Sequence, residues 1–408
     1  METVVKSDTK EVGDRGENVA AMEPLLISDT SRHRPQLNDL AVELASKAAG
    51  FRHSLPDGVR TALADLVRSM NCYYSNLIEG HDTHPVDIER ALNNDYSNDE
   101  KKRDLQREAK AHITVQKWID EGDLAGKSTT TDGLCEIHRR FCKELPDELL
   151  WVEYPQSGER VRVVPGELRT QYVEVGQHIP VSPGAVGRFL KRFEEAFSNL
   201  GTSETIISSA AAHHRLAWIH PFVDGNGRVA RLMSHATMLD TLDSGGIWSI
   251  ARGLAHNVDA YKRHLTQCDL SRRNDLDGRG NLSEEALAQF TRFFLETCID
   301  QVNFMEYLTQ PDKLRIRILM WAEEEARLDS LPSKAGRILE AILYRGELPR
   351  REVANVVGTT GRHARRFVSA LTKAGVIVSK SPRSDLRLAF PAALASRWMP
   401  GLFPEQRD

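Results

Sequence analysis

Between Leu37 and Gln310 apolar residues recur at three- and four-residue spacings, as in Leu63, Leu66, Met70 and Tyr74, or Phe189, Phe193 and Phe197. That period lines one stripe of a helix, so most of this chain must fold as packed helices. One stretch breaks the rule. Val161 and Val163 alternate with Arg160 and Arg162 ahead of a Pro165-Gly166 turn, which predicts a small β-hairpin over 158–169 projecting from the helical body. At 408 residues, 40% of them hydrophobic, the chain can bury a large core and is long enough for two domains.

The pattern divides the chain. Residues 1–35 show no period and are predicted to be a disordered tail; 36–310 form the helical body; 311–333 form a connecting helix opened by Pro311 and a linker ending in Asp329-Ser330-Leu331-Pro332-Ser333. Residues 334–395 form a second domain and 396–408 a tail. Net charge is −4, but 334–397 hold 13 Lys and Arg against 4 Asp and Glu, so a segment at +9 is joined to a remainder at −13. No apolar run approaches the ~20 residues that span a bilayer, and Met22 to Ile27 is too short for a signal peptide. A cytoplasmic protein without membrane contact is the expectation. The five cysteines show neither CxxC pairs nor zinc-ligand spacing and read as reduced, buried thiols.

The stretch from His220 to Arg231, His-Pro-Phe-Val-Asp-Gly-Asn-Gly-Arg-Val-Ala-Arg, lies between two helical patterns. Gly225 and Gly227 allow the backbone to approach a ligand closely, and the N-terminus of the next helix offers N–H groups and a positive dipole end to an anion. Arg228 and Arg231, three apart, share a helix face and suit phosphate oxygens. Asp224 is a carboxylate placed to hold Mg²⁺ against those phosphates, and His220 is the nearby group suited to general-base work near neutral pH.

These residues resemble the Fic family signature, H-P-F-x-[D/E]-G-N-G-R-x-x-R, at every specified position, and His213 stands seven residues before His220 as in the family. The resemblance implies an all-α Fic fold with a small β-hairpin flap. It implies that His220 deprotonates a protein hydroxyl for in-line attack on the α-phosphorus of ATP, and that Asp224 binds the Mg²⁺. Backbone amides of Gly225, Asn226 and Gly227 would form an anion hole, while Arg228 and Arg231 hold the β- and γ-phosphates. Gly227, where the Doc branch commonly carries Lys, favours AMP transfer over phosphotransfer.

Ser75-Asn76-Leu77-Ile78-Glu79-Gly80 ends a helical pattern; Ser75 and Glu79, four apart, share a face, and Gly80 suits a left-handed helix end. It resembles the inhibitory helix [S/T]-x-x-x-E-[G/N] of one Fic class, which implies that Glu79 pairs with Arg231 and keeps the γ-phosphate out of its productive place. In some relatives that glutamate also serves de-AMPylation. The 161–169 hairpin resembles the start of the family's flap, running on to about Ile179, which pairs with an extended target segment; a purely structural hairpin fits the residues equally well. Asn257 and Tyr261 fall where relatives contact adenine. Asp275 to Asn281 imitates the start of a calcium loop, but Arg279 and Ala286 stand where carboxylates are needed, so a turn into a helix is predicted.

In the basic segment Ala364, Phe367, Val368 and Leu371 form an apolar helix stripe with Arg362, Arg365 and Arg366 on the opposite face. A preceding short helix over 350–357, a turn capped by Thr360, and two strand-like runs around a loop bearing Arg383 resemble a winged helix-turn-helix, implying DNA as a partner. Two functions follow: an autoinhibited AMP transferase that modifies a Ser, Thr or Tyr hydroxyl of a target protein or of itself, or a DNA-binding transcriptional regulator that uses the Fic fold as a nucleotide sensor. The family also implies a homodimer.

Overall fold

The computed structural model describes residues 3–6, 13–153, 158 and 160–404. Its contacts define two compact units, the first made of 1–47, 71–244 and 249–301, the second of 48–70, 245–248 and 302–408. In chain order the helices are α1 (Arg34–His53), α2 (Asp57–Ile78), α3 (Pro85–Leu92), α4 (Glu100–Asp120), α5 (Thr131–Lys143), α6 (Val186–Phe197), α7 (Thr202–Ile219), α8 (Asn226–Leu242), α9 (Ala251–His256), α10 (Val258–Cys268), α11 (Glu284–Thr309), α12 (Pro311–Arg327), α13 (Ala335–Arg345), α14 (Val353–Val357), α15 (Gly361–Lys373) and α16 (Ala395–Trp398). The strands are β1 (Thr3–Lys6), β2 (Trp151–Glu153), β3 (Arg160–Arg162), β4 (Tyr172–Val175), β5 (Ile377–Val378) and β6 (Arg387–Leu388).

In the first unit α7 and α8 pack together as the central pair, with α6 against α7 and with α4 and α5 against α8. A helix enclosed on all sides has no polar stripe, and α7 buries Ile206, Ile207, Ala210, Ala211 and Leu216 together with Ser208, Ser209, His213, His214 and Arg215. Those polar groups are paired. Arg215, fully buried, donates through Nη2 and Nε to the one carbonyl of Pro24 at 2.9 and 3.2 Å and faces His214 Nδ1 at 2.6 Å. The flanking helices carry side-chain caps: Asp99 accepts from Lys102 N at 2.9 Å at the start of α4, and Thr130 from Gly133 N at 3.0 Å at the start of α5. Asp277, in the calcium-loop look-alike, accepts from Ser283 Oγ and Glu285 N, both at 2.9 Å, and so serves as the turn into α11.

Three expectations are corrected. The tail 1–35 is not uniformly unstructured: β1 pairs antiparallel with β4, and within 13–33 Met22, Leu25 and Ile27 are buried while Glu23 pairs with Arg192 at 2.7 Å. Short apolar residues scattered without period escape a helical template yet fill gaps in a core. Residues 1–2 and 7–12 lie outside the described residues. At the other end, 396–404 are packed rather than trailing: Trp398, Met399 and Leu402 are buried, and Trp398 meets Trp321 edge-on at 5.2 Å. Residues 405–408 lie outside the described residues.

The hairpin is also built differently. β3 pairs backwards with β2, Val161 opposite Val152, instead of forward across Pro165-Gly166. Gly166 (φ +79) turns the chain so that its N–H reaches His138 Nδ1 at 2.9 Å, a side-chain contact that no local pattern reveals. Beyond it β4 turns back at Gly176, where Val175 and His178 form a bridge.

In the second unit α13 buries Ile338, Leu339, Ile342 and Leu343, α14 buries Val353 and Val357, and α15 turns Ala364 and Leu371 inward with Phe367 and Val368 half-buried. β5 and β6 form an antiparallel hairpin, Ile377 opposite Leu388. Thr360 stands at the N-cap of α15 without capping it through its side chain. Arg350 donates to Ser384 O at 3.0 Å and Ser379 Oγ at 2.6 Å, fastening the hairpin loop. Among the described residues no helix is long and apolar enough to cross a membrane.

Candidate active site

The site is built on the turn between α7 and α8. Helix α7 stops at Ile219 because His220 takes a left-handed conformation (φ 51, ψ 63), with its N–H still bonded to Leu216 O at 3.0 Å. Such a conformation costs a non-glycine residue on the order of 1 kcal/mol and persists only when neighbours hold it. Arg169 does so. Its guanidinium, buried to 2% exposure, donates to the carbonyls of His220 (2.7 Å), Ile219 (3.4 Å), Gln171 (2.9 Å) and Val181 (2.5 Å), and its backbone N–H donates to Pro221 O at 2.9 Å.

Asn226 closes the turn on itself: its Oδ1 accepts from Phe222 N at 2.9 Å and its Nδ2 donates to Phe222 O at 2.8 Å. Phe222 is fully buried and stacks on His138, centroids 4.0 Å apart with the planes 4° from parallel. Gly225 (φ +80) then begins α8, whose N-terminus carries no side-chain cap. The amides of the first turn of α8 thus end at the cleft, and Gly225, Asn226 and Gly227 line it. Burial, reinforced by the Arg169 cation, pulls the His220 imidazole down to about 3, so it is neutral near pH 7 and can accept a proton.

The two arginines of α8 are both held by carboxylates. Arg231, 3% exposed, donates through Nη2 to Glu79 Oε1 at 2.6 Å and to Ser75 O at 3.1 Å, and through Nε to Ser75 Oγ at 2.8 Å. Burial alone would raise the Glu79 carboxyl; the Arg231 and Arg228 cations overcome that and hold it down at about 2. Gly80 (φ +89) turns the chain just beyond. Arg228 pairs with Asp224 Oδ2 at 3.2 Å and with Glu108 of α4, and its guanidinium lies 4.9 Å over the Phe141 ring. Glu108 in turn meets His81 Nδ1 at 2.7 Å.

The α7–α8 turn, the two arginines and Glu79 open onto one cleft, whose space out to open solvent is about 860 Å³. Glu79, His220, Asp224, Gly225, Asn226, Gly227, Arg228 and Arg231 line one side. Tyr261, Lys262, Leu265 and Asp269 of the α10 region line another, with Val175, His178 and Trp218 at a third. Tyr261 reaches His213 Nε2 at 2.7 Å through its hydroxyl, and His213 Nδ1 lies 2.8 Å from Ser234 Oγ, so a buried polar chain backs the cleft. Asn257 is not among the lining residues; its amide donates to Gly253 O at 3.0 Å in the break between α9 and α10. Glu108, Arg169, His138 and His178 were missed in the sequence. Arg169 was visible only as the last residue of the flap segment, and a glutamate on α4 carries no signal until the helix is packed on α8.

Residues 128–238, from just before α5 to near the end of α8, match the family model described as "Fic/DOC family". Among curated proteins, the protein adenylyltransferase Fic of Drosophila erecta is 29% identical over 169 residues, 41% of this chain and 31% of that protein. The protein of the same name from Drosophila melanogaster is 30% identical over the same length and the same shares. The match thus spans under a third of these relatives. Among solved structures, a Fic family protein from Desulfovibrio desulfuricans G20 superposes with a TM-score of 0.51 at 15% identity, covering 89% of this chain and 98% of its own, a likeness of fold.

Proposed function

We propose that this chain transfers AMP from ATP to a Ser, Thr or Tyr hydroxyl of a protein, itself included among the targets, and that Glu79 restrains the reaction. The observation that carries the reading is the convergence, in one cleft, of a neutral His220, the N-terminus of α8, Asp224, and the Glu79–Arg231 pair. The target hydroxyl gives its proton to His220 as its oxygen bonds to the α-phosphorus, and the bond to the β-phosphate breaks, releasing pyrophosphate. The first-turn amides of α8 receive the anion, and Arg231 takes a terminal phosphate once Glu79 has moved aside. Asp224, a single half-exposed carboxylate beside Arg228, fits the one-carboxylate share that Mg²⁺ takes when phosphates supply other ligands. That ion would neutralise phosphate charge.

Incubation of wild type, Glu79→Gly and Glu79→Gly/His220→Ala with α-labelled ATP, Mg²⁺ and cell lysate tests this. Label on protein that rises with Glu79→Gly and vanishes in the double variant supports the reading; no label in any variant, with ATP bound, refutes it.

For the C-terminal helices and hairpin we propose a winged helix-turn-helix that binds DNA. Arg362, Arg365 and Arg366 are exposed along α15 opposite buried Ala364 and Leu371, and Arg383 is exposed in the β5–β6 loop, an arrangement suited to phosphate contacts.

A further inference from the structure

The turn that follows α2 reaches both motif arginines. Glu79 holds Arg231 at 2.6 Å, and two residues on, His81 Nδ1 lies 2.7 Å from Oε2 of Glu108, whose other oxygen accepts from Arg228. The turn between them is stiff: Glu79 N and His81 N both donate to Asn76 O, at 3.0 and 2.9 Å, and Gly80 N donates to Leu77 O at 3.0 Å. Bonds running back five residues across a left-handed glycine are those of a closed helix end, so the backbone that carries Glu79 and His81 is one stiff turn. Glu108 is 9% exposed and sits on α4, which packs on α8. The His81 ring is 41% exposed and faces an open hollow lined by Asp82, Lys101 and Asp104, with room to swing away from Glu108.

We propose that His81 is a positioning residue for the brake: its bond to Glu108 clamps the Asn76–His81 turn onto α4, and Glu79 leaves Arg231 only when that clamp opens. The inference rests on the braked-transferase reading for its catalytic consequence, not for the clamp itself. The charged groups around the ring are Glu108 from α4, Arg228 from α8, Glu79 of the same turn, and Asp82, Lys101 and Asp104 along the hollow. The hydrogen bond to Glu108 raises the imidazole above its ordinary range against burial and the Arg228 cation. A raised histidine holds its partner fully below its unfolded value near 6.5 and loses it as pH climbs through the folded one, so the clamp loosens on the alkaline side.

The test uses the full chain as wild type, His81→Ala, His81→Gln, Glu79→Gly and Glu79→Gly/His81→Ala. Amide hydrogen exchange is followed in peptides covering 70–84, with α7 peptides as the internal control, beside transfer from labelled ATP. Loss of a half-exposed charged hydrogen bond should speed exchange over 75–82 in His81→Ala by roughly three- to tenfold and raise transfer by a similar factor. His81→Gln, which can still donate to Glu108, should stay within about twofold of wild type, and the double variant should be no more active than Glu79→Gly. Unchanged exchange in His81→Ala overturns the clamp. Faster exchange with unchanged transfer, when Glu79→Gly is active, overturns the positioning role. Failure of Glu79→Gly to transfer label defeats the transferase reading alone, and exchange still decides the clamp.

Discussion

Replacing Glu79 by glycine should make the protein less stable at neutral pH while freeing its chemistry, and the size of the effect can be worked out in two ways. The carboxyl is held at about 2 against an ordinary 4.5, with burial opposing and the Arg231 and Arg228 cations prevailing. At about 1.4 kcal/mol per unit, that difference corresponds to about 3 kcal/mol of stability. Removing one partner of a buried ion pair costs ~3–5 kcal/mol, and Arg231 keeps its bonds to Ser75 Oγ and O, which places the loss at the lower end. About 3 kcal/mol is therefore expected, a fall in Tm of roughly 6–12 °C at ~2–4 °C per kcal/mol for domains of this size. Because the folded value is depressed, the contribution is present above pH 4.5 and disappears as pH falls through 2; the gap between wild type and variant should narrow in acid. Thermal unfolding followed by circular dichroism at pH 7 and at about pH 3, with and without ATP, reads all of this, and ATP should raise the Tm of the variant more than that of wild type. Equal melting temperatures at pH 7 would show that Glu79 and Arg231 do not form a buried pair, and the account of the brake would fall with it.

Arg169→Met should lower stability by about 2–4 kcal/mol, since it strands four buried carbonyls, and should depress transfer by Glu79→Gly further than its stability loss explains; Arg169→Lys should not rescue it, and near-wild-type behaviour of either variant in melting and labelling assays would contradict the role given to this side chain. With His220 neutral down to about 3, transfer by Glu79→Gly should show no acid limb near 6.5, and a pH–rate profile with such a limb would refute a buried, neutral base. Replacing Arg362, Arg365 and Arg366 together by alanine should weaken duplex DNA binding and reduce the slope of log affinity against log salt by about 3 in fluorescence anisotropy; an unchanged slope would remove α15 from the interface.

Much of the helical body was legible in the sequence because a 3.6-residue apolar period is a local property: Leu63, Leu66 and Met70 are buried together on α2, and Phe189 and Phe193 on α6. The His220–Arg231 loop and the Glu79 turn were legible for a related reason, since glycines, a left-handed cap and arginines three apart dictate backbone shape and charge within a dozen residues. What lies between elements was not. Glu108 is 27 residues from His81 and 120 from Arg228, and it meets Arg228 only because α4 packs on α8. Gly166 bonds His138 instead of closing a forward hairpin, and Arg169 collects carbonyls that lie 12 and 51 residues further along the chain. The sequence by itself determined which short segments are helical, where α8 begins and which residue types are offered to the cleft. Only the tertiary structure decided which carboxylate meets which arginine and what holds His220 in place, because a buried charge takes whichever partner packing brings within about 3 Å, and no local pattern encodes that distance.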